Sequence, residues 1–263
     1  MSRFLNKYRP MRFSECHGIN HLMPVIRRIV EDGLAHGILI TGENGMGKST
    51  LTRILISRLI CEDPKGIEPC LQCEACKQMM PEKMNTYLEP NVQSGATINK
   101  SWTGRLLFDL IVNSLFYYPR YVWVDDIDTT PSGVVEGMLL PIDMHTTIPM
   151  LFTATHLDKL PPPFVQRMKL LRLSKPRAEE LAPFVTLKCK QEGIGIADTE
   201  AVNELIRLAN RNYRNILNIL ESIKDYGTSL SLTSLSEDHV LDNLGLQVGE
   251  KRFVAVGRGS GPK

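Results

Sequence analysis

Between Gly42 and Ser49 the chain reads Gly-Glu-Asn-Gly-Met-Gly-Lys-Ser, a fit to G-x-x-x-x-G-K-[ST]. What flanks it decides whether the match means anything. Gly37-Ile38-Leu39-Ile40-Thr41 is an apolar, β-branched run that reads as a buried strand. After the loop, Leu51, Ile54, Leu55 and Leu59 recur at helical spacing. Strand, glycine-rich loop and helix are the context a phosphate-binding loop requires. Gly42 and Gly47 allow backbone angles that a Cβ would forbid. The residues from Gly42 through Glu43, Asn44, Gly45, Met46, Gly47, Lys48 and Ser49 to Thr50 would then wrap phosphate oxygens with backbone N–H groups at a helix N-terminus. Lys48 would reach the β/γ-phosphates and Ser49 would give its hydroxyl to Mg²⁺.

A strand needs an acid at its end to complete such a site. Tyr121-Val122-Trp123-Val124-Asp125-Asp126-Ile127-Asp128 supplies one. Asp125 is assigned to the metal, through water, and Asp126 to the attacking water. Further buried strands are predicted over Ile148–Thr155 and Met168–Leu173, and a short one over Met84–Val92. Helical stripes fall at Leu22–Ile29, closed by Gly33, and over Trp102–Leu115. Alternating strands and helices imply an α/β fold with a parallel sheet, helices on both faces and the nucleotide at the strands' C-terminal ends. Beyond Pro176, three helices are predicted: Ala178–Gln191, Asp198–Tyr226, and Ser236–Leu244 with Ser236 as N-cap. The resulting division is a nucleotide-binding domain at 1–175, a helical lid domain at 176–246 and a loose Gly/Arg/Ser/Lys tail at 247–263. Lys7-Tyr8-Arg9-Pro10 reads as an extended strap, since Pro10 disfavours helix at Arg9.

The phosphate-loop helix ends near Cys61, where C-x8-C-x2-C-x2-C places Cys61, Cys70, Cys73 and Cys76. Two C-x2-C steps put three thiolates on one side of a tight turn, and the fourth would complete a tetrahedron around Zn²⁺. With all four positions filled by protein the module at 61–76 would be structural. An iron–sulfur cluster, which also takes four cysteines, ranks below zinc. Cys16 and Cys189 lie outside the pattern and read as ordinary buried thiols.

A net charge of +2 gives no bulk argument for a nucleic-acid partner, and the local basic clusters read as solvated surface. No apolar run is long enough to span a membrane, and the N-terminus MSRFLNKYRP has no apolar signal region, so a cytoplasmic protein is expected.

In order along the chain stand Lys7-Tyr8-Arg9-Pro10, His36, the phosphate loop, the four-cysteine insertion, the acidic strand, Lys159-Leu160-Pro161 and Arg167. Together they resemble the clamp-loader ATPase subunit, gamma/tau, of bacterial DNA polymerase III, of the AAA+ class, over roughly Arg3 to Leu246. The resemblance implies that Tyr8, Arg9 and Pro10 lie against the adenine. It implies that Thr155, with Thr153 as competitor, senses the γ-phosphate. It makes Arg167 an arginine finger for a neighbouring subunit, and Arg214 the second sensor on the lid. It also implies ATP, Mg²⁺ and Zn²⁺ as cofactors, assembly into a homo- or hetero-oligomer, and action on DNA and a DNA-bound protein partner.

The chain departs from the family pattern in three places. Asp125-Asp126 replaces Asp-Glu, which implies slow hydrolysis. Gln166-Arg167-Met168 replaces Ser-Arg-Cys, and Glu136 to Asp143 lacks the family's Leu-Lys-Thr-Leu-Glu-Glu-Pro-Pro pattern. The sequence also carries no collar domain after the lid. The expected function is therefore an ATPase of clamp-loader type that oligomerises and acts on a DNA-bound partner (sliding clamp, helicase or transposase) in DNA replication. The rivals are a collar-less DNA-associated regulator, such as a helicase loader or transposition ATPase, and a weakly hydrolysing ATP switch.

Overall fold

A computed structural model describes residues 3–32, 37–80, 96–98, 121–144, 150–197, 199–227 and 229–236. Five parallel strands form one sheet in the order β2-β3-β4-β1-β5. They are β1 (Gly37–Thr41), β2 (Ala96–Ile98), β3 (Val122–Val124), β4 (Met150–Ala154) and β5 (Met168–Arg172). Ile38 pairs with Leu151 on one side and Lys169 on the other, so β1 lies between β4 and β5.

Alternation along the strands explains the two cores. Leu39, Val122, Val124 and Phe152 face one way, into a cluster with Ile127, Val135, Met138 and Phe164. Ile38, Ile40, Trp123 and Leu151 face the other way, onto Ile26 and Ile29 and onto Leu51, Ile54 and Leu55. The second set belongs to helices Met23–Asp32 and Lys48–Leu59. Every residue of β1 and β4 is buried, which is why both strands read as continuous apolar runs rather than alternating ones.

The chain leaves β1 toward β2, β3 and β4 and later adds β5 on β1's other side. The order of the sheet thus reverses at β1, and a crevice opens at its C-terminal end, the place where open α/β sheets bind ligands.

The C-terminal unit is helical. Ala178–Glu192, Thr199–Leu208, Tyr213–Asp225 and Leu232–Leu235 share a third cluster containing Leu181, Val185, Leu205, Ile216 and Leu220. Two local expectations are corrected here. The single helix expected over Asp198–Tyr226 is two, because Asn210 and Arg211 adopt φ of 52° and 54° and Asn212 caps a new start. Ser236 closes the short helix Leu232–Leu235, and its N-cap is Ser231. The strap Lys7–Pro10 leaves the helix as expected from Tyr8 on; before it, Arg3–Lys7 is helical, where burial of Phe4 among the C-terminal helices and the ion pairs of Arg3 with Glu221 and Lys7 with Glu192 fix a turn. Phe4 thus packs across the boundary placed at residue 175.

The strand expected over Met84–Val92, the helix over Trp102–Leu115, His36, the helix beyond Ser236 and the tail lie outside the described residues. Among the described residues no helix is long and apolar enough to cross a membrane.

Candidate nucleotide site and four-cysteine centre

The loop after β1 has the backbone its glycines allow. Gly47 sits at φ 93° as the N-cap of Lys48–Leu59. Gly45 sits at φ 79°, and a Cβ there would come 2.3 Å from Asn212 Oδ1. Both features exclude a side chain.

Lys48 is buried, and its Nζ donates to Gly42 O at 2.9 Å and to Thr155 Oγ1 at 2.9 Å. Burial lowers its pKa; Asp126, Asp125 and Asp128 act in the opposite direction, and Arg214 adds to the lowering. One ammonium therefore stands within the field of three carboxylates and a guanidinium.

Ser49 Oγ donates to Asp125 at 2.9 and 3.0 Å, which brings a hydroxyl from the loop and a carboxylate from β3 together. That hard-oxygen pair suits Mg²⁺, which keeps most of its ligands as water. Thr50 follows in the first turn of the helix.

The two threonines of β4's C-terminal end separate in role. Thr153 is buried and bridges the acids, donating to Asp125 Oδ1 at 2.5 Å and accepting from Asp126 N–H at 2.8 Å. Thr155 instead meets Lys48 and Asn44, the latter at 3.1 Å. Asp126 stands at φ 50°, ψ 50°, a left-handed conformation that Asp tolerates better than most residues.

Asp128 was assigned nothing by the sequence. Its Oδ2 accepts from the backbone N–H of Thr155 at 3.3 Å and of His156 at 2.9 Å, so it fixes the turn that carries Thr155. The signal was present as the third acid of Asp-Asp-x-Asp, but spacing alone does not say which acid faces a backbone.

The strap is tied to the helical unit. Tyr8 donates its hydroxyl to Glu192, and the Lys188 ammonium lies 4.1 Å from the centre of the Tyr8 ring. Burial tends to raise the Glu192 pKa, but bonds from Lys224, Lys7 and Tyr8 outweigh it and hold the carboxyl at about 2. Pro10 O accepts from the buried Arg53 at 2.6 Å. Arg9 has its pKa lowered by burial first and by Arg214 second, with Asp125 opposing. Arg214 thus stands close enough to Arg9 to repel its charge, and Asp125 offsets that repulsion. A cleft of about 420 Å³ runs along the loop between Thr41, Glu43, Thr155, Leu173 and Lys175.

Arg167 lies elsewhere. It follows the short helix Pro162–Gln166, is partly exposed, and bonds Asp143 at 3.0 Å and Pro163 O at 3.1 Å rather than any residue of the phosphate loop.

Cys61, Cys70, Cys73 and Cys76 place their sulfurs within 4.8 Å of one another. A tetrahedral site with Zn–S near 2.3 Å requires S···S of about 3.8 Å; Cys70 and Cys76 stand at 3.9 Å. Backbone N–H groups already point at the thiols: Cys70 N at Cys61, Gln72 N and Cys73 N at Cys70, and Cys76 N at Cys73. The N–H groups of Cys73 and Gln72 pull the Cys70 thiol below its ordinary value. The module is joined to the strap region, where Glu68 accepts from Phe13 N at 2.8 Å and Ser14 N at 2.9 Å. Cys189 is buried, as expected of a thiol outside the cluster; Cys16 is half-buried, and desolvation pushes its thiol up to about 12.

We expect about one zinc per chain. Cys73→Ser should lose it, together with the order of the segment that Glu68 ties to Phe13. Metal analysis of the purified protein checks this; a metal-free chain with an intact fold, or a Cys73→Ser protein of unchanged metal content, refutes it.

Residues 20–119 match the family model described as DNA polymerase III, delta subunit. The chain is 25% identical over 230 residues to DNA polymerase III subunit gamma/tau of Mycoplasma pneumoniae, covering 86% of this chain and 33% of that protein. It is 24% identical to DNA polymerase III subunit gamma of Buchnera aphidicola (91% of this chain, 65% of that one). It is also 24% identical to replication factor C subunit 4 of Encephalitozoon cuniculi (94% and 71%). The chain thus spans about a third of the length of the mycoplasma relative. Among solved structures, the RuvB Holliday junction branch migration motor of Thermotoga maritima aligns with a TM-score of 0.56 at 16% identity, over 92% of this chain and 73% of that one. The likeness to DNA polymerase III gamma and gamma/tau subunits therefore extends over most of the sequence, and the fold, a parallel α/β sheet followed by a helical unit, is like that of RuvB.

Proposed function

We propose that this chain is an ATPase of clamp-loader type that binds ATP at the Gly42–Ser49 loop and works with other AAA+ subunits on DNA during replication. One observation carries the reading. Lys48, Ser49, Asp125 and Thr155 come from three separate elements and converge at the C-terminal ends of β1, β3 and β4.

In this reading residues 1–175 bind the nucleotide, 176–246 form the lid and 247–263 a tail. Lys48 holds the β/γ-phosphate oxygens, and Ser49 and Asp125 hold the Mg²⁺. The metal's chemistry is to neutralise charge on those oxygens. Thr155 meets the γ-phosphate, and Thr153 keeps Asp125 and Asp126 in register. Asp126 orients the water that attacks the γ-phosphorus as the bond to the β,γ-bridging oxygen breaks. Tyr8, Arg9 and Pro10 line the base side, Arg214 approaches from the lid, and Arg167 reaches the nucleotide of a neighbouring subunit. The four cysteines hold a structural Zn²⁺. The chemistry suits a cytoplasmic protein.

Phosphate release is the test, measured for the chain alone, with primed DNA, and with DNA plus a sliding clamp. Turnover raised by DNA and raised again by the clamp supports a loader. Stimulation by DNA alone favours a collar-less DNA regulator, and tight ATP binding without turnover under any condition favours the switch.

Asp126 gives a finer expectation. Its carboxylate is one methylene shorter than the family's Glu, and a misplaced catalytic group loses rate by roughly 10²-fold. Asp126→Glu should therefore speed phosphate release, although the left-handed backbone opposes Glu with strain of about 1 kcal/mol. Slower turnover with intact ATP binding would mean that the site is built around Asp.

A further inference from the structure

The structure assigns Asn44 as a positioning residue that couples the helical lid to the γ-phosphate sensor, with Asn212 as its partner on the lid. This rests on the nucleotide reading above and names a route within that site.

Asn44 is the third residue of the phosphate loop, and both its ends are engaged. Its carbonyl oxygen accepts from Asn212 Nδ2, and its side-chain Oδ1 accepts from Thr155 Oγ1 at 3.1 Å and Lys48 Nζ at 3.5 Å. Partner chemistry fixes the orientation of both amides. An ammonium can only donate, so the atom of Asn44 facing Lys48 is the oxygen. Asn212 uses its oxygen to accept from Arg214 N at 3.0 Å and Asn215 N at 3.4 Å, which leaves its NH₂ to face the Asn44 carbonyl.

The lid sits close enough that Gly45 has no room for a Cβ beneath Asn212. A second contact reinforces the seat: Lys175 pairs with Glu43 at 2.8 Å and reaches Asn210 Oδ1 at 3.3 Å. Asn210 and Arg211 both hold left-handed backbone conformations in the turn that aims Asn212 at the loop. Non-glycine residues rarely adopt that region in succession, so the turn is held by its contacts. When the lid is seated, the Asn44 peptide is fixed, and the Asn44 amide then sets where Thr155 and Lys48 stand. Lid position and γ-phosphate contact become one event.

The test compares ATP and ADP affinity in the full chain by equilibrium titration, for the unsubstituted protein, Asn44→Ala, Asn212→Ser and the double variant. Serine keeps the N-cap acceptor, so helix Tyr213–Asp225 still starts normally, but it cannot reach the Asn44 carbonyl. Each single variant should lose about 2- to 10-fold in its preference for ATP over ADP, the range of one neutral hydrogen bond. The double variant should lose no more than the larger single, because both act along one route. A merely structural effect would weaken both nucleotides alike and leave the preference unchanged. An unchanged preference in Asn212→Ser, or fully additive losses, overturns the coupling while the nucleotide site stands. Failure of the unsubstituted chain to bind ATP overturns the site, and the coupling with it.

Discussion

Lys48→Ala is expected to remove tight ATP binding, with a loss of at least roughly 100-fold in affinity. The estimate follows from the two or more charge-assisted bonds that one ammonium makes to phosphate oxygens, each contributing about 1.5–3 kcal/mol. Lys48 is suited to this because it is buried and already held by Gly42 O and Thr155. Arg9 and Arg214 carry charge into the same region, but they come from the strap and the lid and do not sit at the head of the phosphate-loop helix. A fluorescent-nucleotide titration measures the effect, with circular dichroism to show that the fold is intact. Wild-type affinity in a folded variant would refute the assignment.

Arg167→Ala should bind ATP normally and hydrolyse it about 10³–10⁵-fold more slowly, the range seen when an arginine finger is removed from other nucleotidases. The guanidinium is partly exposed and paired with Asp143, itself 52% exposed. A surface pair of this kind contributes at most about 1 kcal/mol, so a neighbour's triphosphate can outcompete it. The sharper form of the test mixes two inactive variants. Arg167→Ala supplies a filled site without a finger, and Lys48→Ala supplies a finger without a filled site. Mixtures with DNA present should recover part of the phosphate release across a range of ratios. No recovery in mixtures shown to co-assemble would mean that Arg167 does not act across a subunit boundary.

Much of this site was legible in the sequence because each of its motifs is local. Gly42 to Ser49 dictates its own backbone, and the cysteine spacing brings the sulfurs together within one turn and one loop. The strand that ends at Asp125 was visible for the same reason: β3 is buried on both faces, so its apolar run stops where the chain meets the crevice.

What could not be read were contacts between elements distant in sequence. Nothing in the spacing says that Thr153 turns to the acids and Thr155 to Lys48; Thr153 lies within β4, whereas Thr155 lies past its end in the turn whose backbone Asp128 holds. Asp128 was hidden because its role is to hold backbone N–H groups. The two-helix break at Asn210–Asn212 was missed because the apolar stripe carries on through it. Only the paired left-handed residues and the Asn212 cap reveal the turn. Tyr8 reads as part of an extended strap, and the spacing does not show that it is tied to Glu192, far along the chain.

The most direct measurement is a structure of the chain with Mg²⁺ and a non-hydrolysable ATP analogue. The account predicts a triphosphate wrapped by Gly42–Ser49 with Lys48 Nζ turned from Gly42 O to the β- and γ-oxygens. It also predicts a metal between Ser49 and Asp125, with Thr155 against the γ-phosphate. Nucleotide bound away from this loop at saturating concentration, or a metal held without Ser49 and Asp125, would contradict it.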